Sequence, residues 1–454
     1  MARVDSGSIE RGGCRLRIGP AVIRVAVVAV AVAAVGIGCR NKPTHRRTGD
    51  AAPVEILTSP VVPDGGGQAS EEIEPNDADD VATVLALGGT VRGTSDPEGE
   101  VDRYRIAVTA SGALSVMVDP HEALDAVLEI EDGSGTLIAR SDRGGVRIRE
   151  GVPNLAVTPG RYTAVVKRSL PPAPSASSRR KPPKRPAPEP AKPQGGPYEI
   201  SAATAAPAPG SEHEPDDDRG QANDLIAGDT ASGSIGWSGD TDVWKVSVEA
   251  LSAKNALEFE LSAVEGIALT LEISDGVGHG IISRKGPRGG PLVVRGFVPV
   301  VPPGAPPFHY LTVKADRSNP ETAYQLRVTP KLIAPDAEAE PNDTPDTAMP
   351  VPADRKSLHA HWSAGDVDCF AIAPEETARA LDVSIDTPSG LDLAIDVLID
   401  GKLAAKVDHP GKGAAEKLLV SVPAGAHAVI RVRGSDAAGD GPYELVINEG
   451  AALP

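Results

Sequence analysis

Aromatic residues are scarce in this chain of 454 residues: four Phe, six Tyr and three Trp make up 3% of it. Cores must therefore be filled by Val, Leu, Ile and Ala, and a substrate cleft walled by exposed rings has little to draw on. Cysteine is scarcer still, with three residues. Cys14 and Cys39 fall within an N-terminal segment of signal character, which leaves Cys369 alone and offers no internal disulfide. Positive charge is in deficit, since 45 Lys and Arg stand against 63 Asp and Glu for a net charge of −18. That balance opposes nucleic acid as a partner, because phosphate contacts need clustered Lys and Arg. The apolar run Val25 to Gly38 has fourteen residues, short of the roughly 20 that a membrane-spanning helix needs. Gly (48) and Pro (43) are abundant and favour strands and turns over helices. The length suits about three domains of ordinary size.

Residues 1–39 have the order of an export signal, with Arg11, Arg15 and Arg17 ahead of the apolar run. The run ends in Val35-Gly36-Ile37-Gly38-Cys39, which resembles the lipobox of bacterial lipoproteins, with Gly36 where Leu or Val is usual. The resemblance implies lipidation at Cys39, membrane attachment through that lipid, and a place in the cell envelope as an outer-membrane lipoprotein. An uncleaved anchor and an ordinary signal peptide are the alternatives. Residues 40–70, rich in Pro, Gly and Thr, are expected to form a flexible tether.

The rest of the chain repeats itself three times. Glu72-Ile-Glu-Pro-Asn-Asp77, Glu212-His-Glu-Pro-Asp-Asp217 and Glu338-Ala-Glu-Pro-Asn-Asp343 open three stretches. Each is followed by an acidic strand: Glu100-Val-Asp102-Arg-Tyr104, Asp240-Thr-Asp242-Val-Trp244 and Asp366-Val-Asp368-Cys-Phe370. The interval from Glu74 to Asp102, Glu214 to Asp242 and Glu340 to Asp368 is 28 residues each time. Short apolar strands then run into Asp132-Gly133, Asp275-Gly276 and Asp400-Gly401, which signal hairpins. Two alternating strands close each stretch, Gly160–Val166 with Pro197–Ile200, His309–Val313 with Ala323–Val328, and His427–Val432 with Pro442–Ile447, and are expected to pair as a hairpin. Short alternating strands without helical periodicity predict an all-β chain of three tandem jelly-roll-like antiparallel β-sandwich domains over 71–206, 211–330 and 338–450. Residues 168–196 interrupt the first, with Arg179, Arg180, Lys181, Lys184 and Arg185 among repeated prolines. They read as a disordered basic loop: a solvated linker, or a contact for anionic polymers or lipid headgroups.

The acidic opening, the Asp-x-Asp-x-aromatic strand, the Asp-Gly hairpin and the closing Tyr strands together resemble the bacterial pre-peptidase C-terminal domain, in three copies. That family implies a non-catalytic jelly roll that assists binding or secretion. It is similar to the collagen-binding domains of clostridial collagenases, in which these acidic segments hold calcium. The resemblance implies calcium ligands at Glu72, Glu74, Asn76, Asp77 and Asp102 in module 1, and at Glu212, Glu214, Asp216, Asp217, Asp240 and Asp242 in module 2. In module 3 it implies Glu338, Glu340, Asn342, Asp343, Asp366 and Asp368.

Calcium takes six to eight oxygen ligands, commonly from one irregular segment. The plainer alternative is that Glu-Pro-Asn-Asp only caps a turn. No Gly-x-Ser-x-Gly elbow is present, and Cys369 occupies a strand position held by Arg103 and Val243 in the other repeats, so it reads as a half-buried strand residue without a catalytic part. His359-Ala-His361 lacks further zinc ligands. Trp237 and Trp362, just ahead of the acidic strands, are candidates for exposure, with core or rim packing favoured over sugar stacking. The expected function is a non-catalytic array binding an extracellular or envelope protein or polysaccharide. A passive envelope spacer and an unrecognised secreted hydrolase are the rivals.

Overall fold

The computed structural model describes residues 70–451 apart from 96–99, 122–123, 170–194, 253, 355 and 435–438. The signal segment with Cys39, the tether up to residue 69 and the basic stretch 170–194 lie outside the described residues. Every regular element among those described is a strand.

Module 1 contains β1 (Ser70–Glu71), β2 (Thr83–Val84), β3 (Thr90–Ser95), β4 (Val101–Val108), β5 (Gly112–Pro120), β6 (Ala126–Glu131), β7 (Leu137–Ser141), β8 (Glu150–Val157), β9 (Gly160–Arg168) and β10 (Gly196–Ala205). Module 2 contains β11 (Asn223–Leu225), β12 (Thr230–Gly233), β13 (Thr241–Ser247), β14 (Asn255–Leu261), β15 (Leu269–Ser274), β16 (Gly280–Lys285), β17 (Leu292–Phe297), β18 (Phe308–Ala315) and β19 (Tyr324–Leu332). Module 3 contains β20 (Met349–Pro350), β21 (Ser357–Trp362), β22 (Val367–Ile372), β23 (Arg379–Ile385), β24 (Leu393–Ile399), β25 (Lys402–Val407), β26 (Glu416–Val422), β27 (Ala428–Gly434) and β28 (Gly441–Ala451).

Each module is two facing sheets. In module 1 their orders are β1-β3-β10-β5-β8 and β2-β4-β9-β6-β7. Module 2 repeats this as β12-β19-β14-β17 and β11-β13-β18-β15-β16, and module 3 as β21-β28-β23-β26 and β20-β22-β27-β24-β25. Outside the Asp-Gly hairpins, successive long strands alternate between the sheets, which is jelly-roll winding. The Asp-Gly hairpins form as expected, β6 with β7, β15 with β16 and β24 with β25.

The expected closing hairpins do not form. β9 pairs with β4 and β6, whereas β10 pairs with β3 and β5 in the opposite sheet, and modules 2 and 3 do likewise. Each closing strand is central, with both edges satisfied by neighbours, so neither has backbone groups left for the other.

Alternation along the strands sends one side chain in two inward, as in β26, where Leu418, Val420 and Val422 are buried while Lys417, Leu419 and Ser421 face out. Three separate aliphatic clusters result, centred on Ile106, Leu128 and Ile200, on Leu257, Leu271 and Leu326, and on Leu381, Ile395 and Leu445. Each fully buried aliphatic side chain contributes about 1.5–3 kcal/mol. Cys369 is wholly buried, not half-buried: it lies on the face of β22 opposite to Asp368 and Phe370, and the opening segment at Asn342 runs over it. Trp362 is only 1% exposed, and Trp237 packs partly buried against the core of module 1. Neither presents a free ring.

The edge strands β8 and β17 carry bulges at matching places. On β8, Pro153 and Asn154 together oppose Ser115, and on β17, Arg295 and Gly296 together oppose Glu258. Asn154 (φ 56°) and Gly296 (φ 68°) are left-handed, a conformation that Asn and Gly adopt most readily. The next module fastens here. Glu214 donates its amide to Asn154 O (2.9 Å) and accepts from Ala156 N (2.8 Å); Glu340 donates to Gly296 O (2.9 Å) and accepts from Val298 N (2.8 Å). The corresponding strand β26 pairs with β23 in continuous register, without a bulge.

Candidate metal centre

The Glu-x-Glu-Pro segment is placed by its own side chains in the same way in each module. The first Glu accepts a backbone N–H from the strand beside which the opening segment runs, or from just past its end: Glu72 from Thr94 (2.6 Å), Glu212 from Ser234 (3.0 Å) and Glu338 from His361 (2.9 Å). The second Glu accepts from the amide two residues on: Glu74 from Asn76 (3.0 Å), Glu214 from Asp216 (3.0 Å) and Glu340 from Asn342 (2.7 Å). The carbonyls of Asn76, Asp216 and Asn342 accept from Arg103, Val243 and Cys369 at the start of the acidic strand. The Glu-Pro peptide is cis in all three.

This brings carboxylates from two distant stretches together. Glu72, Glu74 and Asp102 gather in module 1, Glu212, Glu214, Asp216 and Asp242 in module 2, and Glu338, Glu340 and Asp368 in module 3, each set with one oxygen per residue within 4.8 Å of the others. Asn76 and Asn342 join by donating to Glu72 (3.2 Å) and Glu338 (2.8 Å). Glu340, Asp343 and Asp366 form a second set in module 3. Asp77, Asp217 and Asp240 are not drawn into these sets. Asp240 instead caps a turn, accepting from Gly236 N (2.5 Å) and Thr241 N (3.1 Å).

Burial is deep in modules 2 and 3, where the acidic opening is covered by the preceding module, and shallower in module 1, where Glu74 is exposed. Several inward oxygens have no donor: Asn76 Oδ1 and Asp102 Oδ1, then Glu212 Oε1, Glu214 Oε1, Asp216 Oδ1 and Asp242 Oδ1, then Asn342 Oδ1 and Asp368 Oδ1. Burial pushes Asp102 up to about 7 despite a hydrogen bond from Tyr198, and raises Asp242 and Asp368 well above the carboxylate range. Charge on Glu212 adds to the effect at Asp242, and charge on Glu338 adds to it at Asp368. A buried carboxylate oxygen without a donor is costly unless something positive meets it. The donor sets are all oxygen, which fits a hard cation such as calcium and gives softer metals no nitrogen or sulfur. Capping alone does not account for the unmatched oxygens.

One recurring participant escaped the sequence reading. Tyr198 on β10 and Tyr443 on β28 donate to Asp102 and Asp368, each at 2.5 Å, and the matching Tyr324 accepts from Trp244 Nε1 at 2.8 Å. The signal was present in the Tyr shared by all three closing strands, Tyr198, Tyr324 and Tyr443. His359 and His361 make no metal site: His359 faces Asp336, and His361 Nε2 contacts Arg295 (2.8 Å) and Asp440 (3.1 Å).

No protein-family model and no curated protein matches the chain. Among solved structures it is similar to the pre-peptidase C-terminal domain of a collagenase from Bacillus anthracis, at 16% identity over 27% of this chain and 93% of that one, with a TM-score of 0.19. It is also similar to the tandem CBM22 domains of Xyn10C from Paenibacillus barcinonensis, at 12% identity over 50% and 99% of the two chains, with a TM-score of 0.15. For the tandem CBM51 modules of a family 98 glycoside hydrolase from Streptococcus pneumoniae the figures are 10% identity, 48% and 83%, and 0.14.

Proposed function

We propose that this chain is a lipid-anchored, non-catalytic array of three sandwiches that calcium stiffens, and that it holds an envelope or extracellular protein or polysaccharide. The observation that carries the reading is the donorless buried oxygen of Asp102, Asp242 and Asp368, repeated at the head of every module. In modules 2 and 3 the same acidic segment is also strapped to the module before it. An ion bound there ties an opening segment to its own sheet. A ligand that prefers the folded state stabilises it by about 2.7 kcal/mol at a hundredfold excess over its Kd. The outer face of module 2 offers the partner a groove of about 510 Å³ lined by Asp217, Arg219, Glu272, Thr312 and Lys314. Its mixed charge suits a polar polymer, and Arg219 lies over the Tyr310 ring at 5.9 Å.

Thermal melting of the chain in calcium chloride and in chelator tests the reading. Calcium should raise the wild-type melting temperature, and Asp368→Ala should lose the part of the shift that belongs to module 3. Identical wild-type melts in both buffers would remove the cation. Fatty-acid labelling that marks the wild type and spares Cys39→Ala tests the anchor, and capture of envelope polysaccharide or protein on the immobilised chain tests the partner.

A further inference from the structure

The second acidic set of module 3 already contains a cation, and it comes from the neighbouring module. Arg284, on β16 of module 2, is 5% exposed. Its Nη2 lies 2.5 Å from Asp366 Oδ1, 2.6 Å from Asp343 Oδ1 and 3.4 Å from Glu340 Oε1. Glu340 belongs to both acidic sets and also makes the backbone joint to Gly296 and Val298, so the guanidinium acts directly on the residue that fastens the modules. The space beside it, lined by Arg284, Arg295, Glu340, His361, Ser363 and Asp366, holds about 10 Å³. That is room for one water molecule, so a hydrated divalent ion and the guanidinium cannot share the place.

The first joint is built differently. Arg284 pairs with Leu271, and the residue pairing with the equivalent Leu128 in module 1 is Ser141. Ser141 turns away and donates to Glu150 at 2.6 Å. Into the inner acidic set of module 2, module 1 offers the neutral amide of Asn154, which donates to Glu212 at 2.9 Å; the guanidinium of Arg143 also crosses, but it bonds Ser318 (3.0 Å) and Glu321 (3.2 Å), outside that set.

We propose that Arg284 is a tethered counter-ion that stands in for a divalent cation in the second acidic set of module 3, so that the joint between modules 2 and 3 is set without metal while the joint between modules 1 and 2 is set by it. A buried guanidinium gathering three carboxylates is strongly held, because removing it strands their charge away from water. The contrast between joints rests on the cation reading of the inner sets; the clamp itself does not.

Amide exchange on the whole chain, in chelator and in calcium chloride, separates the two. In wild type, Val298 and Glu340 should be protected in both buffers, and Ala156 and Glu214 only with calcium. In Arg284→Gln, Val298 and Glu340 should exchange about tenfold or more faster in chelator. They should regain protection in calcium, with one further ion bound by equilibrium dialysis. Unchanged exchange at Val298 and Glu340 in chelator would overturn the clamp, and protection of Ala156 and Glu214 in chelator would overturn the contrast. If Arg284→Gln does not fold, Asp343→Asn keeps the guanidinium and removes one partner; it should speed the same amides by a smaller factor, and no change would again overturn the proposal. Calcium without effect anywhere in wild type would defeat the cation reading alone, since the chelator comparison still decides the role of Arg284.

Discussion

Tyr443 donates its hydroxyl to Asp368 Oδ2 at 2.5 Å, and the other oxygen of that carboxylate is left buried without a donor. One half of the group is thus satisfied by the protein and the other is not, in a carboxylate that gathers with Glu338 and Glu340. Tyr443→Phe removes the satisfied half. In chelator it should cost about 1–3 kcal/mol, as expected for a buried acceptor losing its donor, read by calorimetry as a lower transition for module 3. A transition unmoved by the substitution would show that the hydroxyl holds nothing in place.

The pH dependence in chelator follows from the raised carboxylates. Burial pushes Asp102 up to about 7, and it does the same to Glu338 despite amide donors from His361 and Asn342. An acid with a raised folded pKa keeps its proton where the unfolded chain has lost it. Its contribution is therefore complete below the unfolded value of about 4 and disappears as the pH rises through about 7. The melting temperature in chelator should fall between about pH 4 and pH 7, and calcium, which binds the ionised form, should flatten or reverse that slope. A melting temperature in chelator that rises over this range would contradict the assignment.

Gly93 is required by what lies over it. A Cβ there would stand 2.4 Å from the Tyr198 ring and 2.5 Å from the Tyr104 hydroxyl. Module 3 has Ala360 at the same register opposite Tyr443, with Phe370, which carries no hydroxyl, in the place of Tyr104. Gly93→Ala should destabilise module 1 by about 1–3 kcal/mol through overpacking. Adding Tyr104→Phe should recover part of the loss, as a double-mutant cycle would measure.

Cys369 lies wholly inside module 3, and burial raises its thiol to about 11. The thiolate is the reactive form, so a maleimide should label Cys369 in denaturant and leave it unmodified in the folded chain at neutral pH. Rapid labelling of the native protein would mean that β22 opens readily.

Much of the fold was legible because the sequence repeats. Three copies of the 28-residue interval fix where each module begins, and Asp132-Gly133, Asp275-Gly276 and Asp400-Gly401 mark real hairpins. The closing strands were misassigned to each other because alternation reports which face is buried and carries no information about the partner on either edge. Of the residues implied as ligands, those at the two Glu positions and on the inward Asp of the strand do converge, since period-two geometry turns Asp102, Asp242 and Asp368 toward the same side as the core. Asp240 was misleading because a carboxylate next to a turn satisfies itself on local amides. Arg284 could not be found by comparing repeats at all: its role depends on a neighbour that lies 56 to 82 residues further along the chain.

The bulges on β8 and β17 and the unbroken register of β26 give the three modules an order that cannot be permuted. Each of the first two is a bead with a socket, shaped by one left-handed residue to seat the glutamate of its successor. The third, though it winds the same way, offers only a smooth rim. Exchanging modules 1 and 3 in the gene would keep every sandwich intact and still deny Glu214 its seat. The winding is common to all three, and the joint is built from a different residue each time, Asn154 in one and Gly296 in the other.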